Sequence, residues 1–287
     1  MKKHLLFLLF IIFSECTESN LAFHPGTNPS DGILKLVKNF GGSKNDVAKS
    51  VVSTLDGGFA VLGYTQSIDG DITDKATEDY DFWMLKFDSE AQLEWNKTYG
   101  GSGDDRGSSI IETSDGGYAL LGYSDSTDGD VSSNNGNRDF WLVKITASGV
   151  LTWQKSFGYE GLDEGVSIIE TSDNHLMLSG VLDVTASGGE GNQGRLYNRH
   201  AGGDYWSIKI TPTGDIVWSR FYGGTFTDSP TGIKETLNDG FISVGGSDSN
   251  DVDISNNKGS YDFWIVKSNL NGDIVWEKSF GGSEIDE

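Results

Sequence analysis

The chain is poor in the residues that most sharply narrow a protein's chemistry. It has one cysteine in 287 residues. That excludes an intramolecular disulfide and any cysteine-clustered zinc site. Four prolines are too few for a collagen-like chain or a proline-rich linker. Lys and Arg number 21 against 43 Asp and Glu, for a net charge of −22. A nucleic-acid binder normally presents a basic patch, so this balance argues against one. Of the four histidines, His4 and His24 stand near the start, and His175 and His200 accompany no Ser or Cys nucleophile in a recognised order. No zinc-protease, phosphate-loop or dinucleotide fingerprint occurs. After residue 13 no run is apolar enough to span a membrane.

What the chain does have is glycine, 39 residues, and aromatics, 11% with eight tryptophans. A disordered chain rarely carries so many aromatic residues. The length would ordinarily suggest about two domains.

Residues 1–16 read as a targeting segment. Lys2 and Lys3 form a positive region, followed by the nine apolar residues 5–13 (LLFLLFIIF). That suits a signal peptide and is too short to cross a bilayer of about 30 Å. The only cysteine, Cys16, follows at once, and the segment resembles a lipobox, in which the thiol takes a lipid. Glu15 and Phe13 depart from the small residue and the Leu usual there. The expectation is export with lipid attachment at Cys16, as an outer-membrane or cell-surface lipoprotein; the alternative is ordinary cleavage near the same place and secretion. Residues 17–32 form a leader.

The remainder, residues 33–287, is one repeat copied four times. A Gly-Gly pair or its equivalent begins at Gly41, Gly100, Gly158, Gly223 and Gly281, with spacings of 59, 58, 65 and 58. Trp83, Trp141, Trp206 and Trp264 are spaced 58, 65 and 58, and Trp95, Trp153, Trp218 and Trp276 repeat those intervals. An Asp lies five residues after each first Gly: Asp46, Asp105, Asp163, Asp228 and Asp286. A fixed period of this kind marks a repeat architecture.

In the second copy, strands are predicted over 107–113, 118–123, 140–145 and 150–157, joined by Gly-containing turns such as Ser114-Asp115-Gly116-Gly117. Along the third strand Trp141, Val143 and Ile145 point to one face and Phe140 and Leu142 to the other. A sheet apolar on both faces needs a neighbour on both. Four-stranded sheets repeated with one period and packed face to face are the blades of an all-β, β-propeller fold. The units run over about 41–99, 100–157, 158–222 and 223–280, with a fifth opening at 281.

The segments 213–218 (TGDIVW) and 271–276 (NGDIVW) resemble the Gly-x-x-x-Trp segment of quinoprotein-alcohol-dehydrogenase-like propellers. The whole unit is similar to a repeat of secreted and surface proteins of Bacteroidota. The resemblance covers residues 33–287 and implies the blade fold, with the fourth-strand Trp docked between blades. On activity it implies little: many such proteins have none known, and some carry endoglucanase or lectin-like labels. A quinone-cofactor dehydrogenase is not indicated, because this chain is much shorter. Residues 33–40 read as the fourth strand of a preceding unit, so the ring is expected to be incomplete or open.

Candidate sites divide into repeated and unique ones. The loops after the second strands carry Asp69 and Asp71, Asp128 and Asp130, and Asp251 and Asp253. Such carboxylates suit Ca²⁺, but no ligand cage can be assembled from the spacing, and capped turns are the favoured reading. The repeated Asp46 series, and Asp81, Asp139, Asp204 and Asp262 before the third strands, are expected to bond turn amides. Lys86, Lys144, Lys209 and Lys267 are expected to pair with neighbouring acids. The third unit is seven residues longer, within 182–203. There Arg195, Tyr197, Arg199 and His200 form the one basic, aromatic island, a candidate contact for a protein or glycan partner; the alternative is a Gly-rich loop tip. No catalytic constellation is predicted and no cofactor. The expected function is an exported, non-enzymatic surface scaffold or binding module; the alternative is a carbohydrate-active protein, a glycan binder or glycoside hydrolase. Any contact with a membrane would run through the lipid alone.

Overall fold

A computed structural model describes residues 37–192, 199–237 and 239–286. Cys16, the signal and the leader lie outside them, as do Arg195 and Tyr197. The described residues form sixteen strands in four antiparallel four-stranded sheets, with one helical turn. The first sheet comprises β1 to β4: Asp46–Ser53, Phe59–Thr65, Asp81–Phe87 and Leu93–Tyr99. The second holds β5 to β8: Asp105–Glu112, Tyr118–Ser124, Asp139–Ile145 and Leu151–Phe157. The third holds β9 to β12: Glu164–Glu170, Leu176–Asp183, Gly203–Ile210 and Ile216–Tyr222. The fourth holds β13 to β16: Asp228–Thr236, Gly240–Ser247, Asp262–Ser268 and Ile274–Phe280. Each sheet is a meander in sequence order, consistent with four blades of a propeller-like fold.

The turns explain the meander. Gly116 sits at φ +82° between β5 and β6, and its equivalents at the hairpins between third and fourth strands, Gly149, Gly214 and Gly272, sit at +76°, +86° and +76°. A glycine meets that conformation without the Cβ clash other residues suffer. Each first strand also carries a register shift against its neighbour, at Ala48/Ser50 and Gly107/Ser109 for example, and Pro230 lies at the corresponding shift in β13. A bulge is where a sheet tolerates a residue without an N–H.

Consecutive sheets pack face to face. Ala60, Leu62, Phe82 and Met84 of the first meet Tyr118, Leu120, Trp141 and Val143 of the second. The other face of the second, with Leu121, Phe140 and Leu142, meets Ile168, Leu178, Trp206 and Ile208 of the third. The alternation read in the third strand is therefore the alternation of two cores. Tyr205 and Tyr222 of the third sheet meet Trp264 and Val266 of the fourth. No comparable packing joins the fourth sheet to the first among the described residues.

Two expectations are corrected here. Fourth-strand Trp residues were expected between sheets, and Trp218 is 7% exposed, but Trp276 is 40% exposed because no described sheet follows it. Residues 37–40 form no strand; Phe40 instead rests edge-on against Phe87, 5.2 Å between centroids.

Candidate binding site

The repeated polar residues are structural. The Asp opening each first strand accepts an amide from the Gly-Gly turn before it: Gly42 N to Asp46, Gly101 N to Asp105, Tyr159 N to Asp163 and Gly224 N to Asp228, at 2.7–2.8 Å. Asp139 and Asp262 accept the amides of Asn135 and Lys258. Each third-strand Lys reaches an acid of its own sheet's first hairpin: Lys86 to Asp56, Lys144 to Asp115, Lys209 to Asp173 and Lys267 to Asp239, at 2.7–3.0 Å.

The loop aspartates clasp the same turns. Ser43 N donates to Asp69 and Gly41 N to Asp71; Ser102 N donates to Asp128 and Gly100 N to Asp130; Thr225 N donates to Asp251 and Gly223 N to Asp253. One carboxylate oxygen of each thus faces a backbone N–H. Among the described residues no three His, Cys, Asp or Glu side chains gather to hold a metal ion.

The first acid of each third strand lies beside the Asp that opens the next sheet, on either side of a glycine. A Cβ on Gly158 would stand 2.2 Å from Asp139 Oδ1 and 2.9 Å from Asp163 Oδ2; Gly100 and Gly223 sit likewise between Asp81 and Asp105 and between Asp204 and Asp228. Burial pushes Asp81, Asp163 and Asp204 up to about 7 and Asp139 and Asp228 up to about 6. Lys75, 2.9 Å from Asp81, opposes the first of these shifts, and His200 opposes that of Asp204.

The unique features lie at one end of the sheets, where second strands end and third strands begin. In the first two sheets this space is filled by aromatic and guanidinium groups. Arg106 lies 5.1 Å from the Tyr64 ring and 4.1 Å from that of Tyr80, and Asp104 holds it at 2.7 and 2.9 Å. Arg138 lies 4.5 Å over Tyr123 and bonds Glu164 at 2.6 Å. A cleft of about 170 Å³ lies there.

In the third sheet the register puts Val181 where Tyr64 and Tyr123 stand, and Gly203 where Tyr80 and Arg138 stand. With those large side chains gone, a shallow, open depression of about 490 Å³ lies there. Leu162, Val181 and Ala186 give it apolar walls, and Asp183, Thr185 and Thr227 give it polar ones. Its edge is the seven-residue insertion. The insertion starts as a helical turn, α1 (Val184–Ser187), capped by Asp183 Oδ1 accepting from Ala186 N at 2.9 Å and anchored by the buried Val184. Gly202 N donates to Thr185 Oγ1 at 2.8 Å and Gly202 O accepts from Val184 N, which pins the far end of the insertion beside its start.

The island read from the sequence divides. Arg199 is exposed, at φ +71°, with Nη2 3.4 Å from Asp251. His200 is buried: Nδ1 is 2.6 Å from Asp204 and the ring meets Phe221 edge-on. Burial opposes its charge, but the Asp204 carboxylate outweighs that and holds the imidazole above its ordinary pKa. It is a core histidine, not an open ligand group. The cavity itself was missed. Val181 and Gly203 carry no chemistry to notice, and only comparison with Tyr123 and Arg138 in register exposes what they leave out. The chain matches no protein-family model, and no curated protein matches it.

Proposed function

We propose that the protein is an exported, non-enzymatic scaffold, an open β-propeller arc of four blades, whose third blade carries a ligand- or partner-binding site. One observation carries this reading. In the third sheet both space-filling positions are given up, to Val181 and Gly203, whereas the fourth sheet has Gly246 at the first but keeps Tyr261 at the second, and the resulting shallow, open depression of about 490 Å³ has a volume within the range of small-molecule sites. It adjoins the one insertion in the repeat. The export and surface reading rests on the signal-like residues 1–16, and the blade reading on the period and the consecutive packing of sheets.

Glycan binding is favoured over glycan hydrolysis. A glycosidase needs two carboxyl groups flanking the bond it cleaves, and among the described lining residues Asp183 is the one acid. The carboxyls with raised pKa are buried at every blade junction and serve the scaffold.

The test is to refill the cavity with the residues the second sheet uses. Val181→Tyr with Gly203→Arg should abolish binding to any oligosaccharide that an immobilised glycan panel shows the unaltered protein to retain, with the melting temperature unchanged. Retention by the filled variant would remove the cavity from consideration. Export is checked separately: Cys16→Ser should release the protein from the membrane fraction, and unchanged fractionation would reject lipid attachment.

A further inference from the structure

Each first strand carries a bulge, and the residue that the bulge leaves out of the ladder differs from sheet to sheet. It is Lys49 in β1, Ser108 in β5, Val166 in β9 and Thr231 in β13. A bulge re-aims the side chain of its extra residue. Two residues before these stand Val47, Arg106, Glu164 and Ser229. The Gly, Asp and Trp residues that the fold requires recur from sheet to sheet, and these eight do not. The first three bulges meet at the cleft of about 170 Å³, where Lys49, Arg106, Ser108 and Glu164 form the lining together with Tyr64 and Tyr123.

The polar groups of this cleft are only partly used. Asp104 takes Nε and Nη2 of Arg106, at 2.7 and 2.9 Å, and Nη1 has no hydrogen-bond partner among the described residues. Lys49 is exposed, with Nζ 5.9 Å from the centre of the Tyr64 ring, and among the described residues it forms neither an ion pair nor a hydrogen bond. Acids outnumber bases 43 to 21 in this chain, yet none of the described ones closes on this ammonium. Glu164 Oε1 accepts from Arg138 at 2.6 Å. Its charge is therefore compensated, and Oε2 remains an acceptor for a neutral donor.

These groups set the terms for a ligand. A carboxylate set against Lys49 Nζ and Arg106 Nη1 would gain charge-assisted hydrogen bonds. Glu164 beside it opposes a group of higher charge such as phosphate, but can accept from a hydroxyl. Because Arg138 already balances Glu164, the cleft has no uncompensated acid for an ammonium, which disfavours an amino acid. The volume lies below the roughly 300–1,000 Å³ of drug-sized pockets, so the bound unit is small. We propose that this cleft binds a single acidic sugar residue, its carboxylate on Lys49 and Arg106 and its hydroxyls on Ser108 and Glu164, beside the Tyr64 and Tyr123 rings. The cleft shares no lining residue with the depression of the third sheet, and the assignment does not rest on that site.

The experiment is a ligand-detected NMR titration of the purified protein with sodium glucuronate. It is run at 0.15 M salt, where repulsion by the chain's net negative charge is screened beyond about 8 Å. Saturable binding is expected, with glucose and acetate each bound about tenfold more weakly, since one lacks the carboxylate and the other the hydroxyls. Lys49→Ala removes an exposed side chain without a partner, so the melting temperature should hold while the affinity for glucuronate falls about tenfold. Lys49→Arg, which keeps the charge, should retain most of the affinity. No saturable binding of glucuronate, acetate or phosphate bound as tightly as glucuronate, or full affinity in a folded Lys49→Ala protein would each overturn the proposal. Glucuronate binding that survives while the glycan panel retains nothing through the depression would reject the third-sheet reading alone and leave this one standing.

Discussion

At Gly158 a hydrogen in place of a methyl group decides whether two sheets can meet. The Asp139 and Asp163 carboxylates stand 2.2 and 2.9 Å from where a Cβ would be, while nothing lies within 4 Å of the same position at Gly116. Gly158→Ala forces one buried carboxylate aside and should lower stability by about 2–4 kcal/mol, the cost of an overpacked junction that also breaks a hydrogen bond. Gly116→Ala meets only the strain of φ +82°, about 1–2 kcal/mol. Urea denaturation of both variants checks this, and equal losses would mean that close approach does not fix the glycine. Trp141, fully buried in the core between the first and second sheets, should cost about 3–5 kcal/mol on replacement by Ala; a melting temperature unchanged within a degree or two would contradict its place there. These positions were legible in the sequence because each recurs at a fixed interval and each has one physical reason to recur. The exposure of Trp276 was not legible. Its own strand is unexceptional, and burial at that position is conferred by a following sheet.

Between elements, the carboxyl pairs at the junctions between sheets tie stability to pH. Burial raises the pKa of Asp81, Asp163 and Asp204 to about 7, and of Asp139 and Asp228 to about 6. In the unfolded chain these groups return to about 3.9. The native state therefore holds protons that the unfolded state has lost, and stability falls as pH rises from about 4 to about 7. On the acid side the hairpin acids act in the opposite sense. Despite partial burial, Thr113 and Lys144 hold Asp115 down to about 2, and Lys209 and Thr171 do the same for Asp173. Their contribution is present above about pH 4 and lost as pH falls towards 2. The melting temperature should thus peak at about pH 4 and be several degrees lower at pH 8. Asp139→Asn keeps an acceptor for the Asn135 amide and puts a neutral NH₂ where Oδ1, which has no partner, faces Asp163. That variant should be more stable than the parent at pH 8 and show a flatter pH profile; a steeper one would show that the pair is not the source. None of this was legible from spacing alone, since the two acids of a pair come from successive sheets, 24 residues apart in Asp81/Asp105 and Asp139/Asp163.

For the whole molecule, a net charge of −22 on a folded chain is self-repulsive, and folding brings those charges together. Salt should then raise the melting temperature by screening, over a Debye length of about 10 Å at 0.1 M. A specific calcium effect would add to this. An ion bound only by the folded form at 100 times its dissociation constant stabilises by about 2.7 kcal/mol per site. The geometry argues for screening alone. Asp128 and Asp130 accept the amides of Ser102 and Gly100, and a carboxylate so engaged closes a turn without a cation. The comparison that separates the two effects is Ca²⁺ against Mg²⁺ at equal ionic strength, and the expected difference is within about a degree. Asp128→Asn with Asp130→Asn retains an acceptor oxygen at each turn and should leave the result unchanged apart from a small gain from lower charge. A melting temperature several degrees higher in Ca²⁺ than in Mg²⁺, lost in that double variant, would instead make the six loop aspartates ligands and place calcium among the groups that hold the four sheets together.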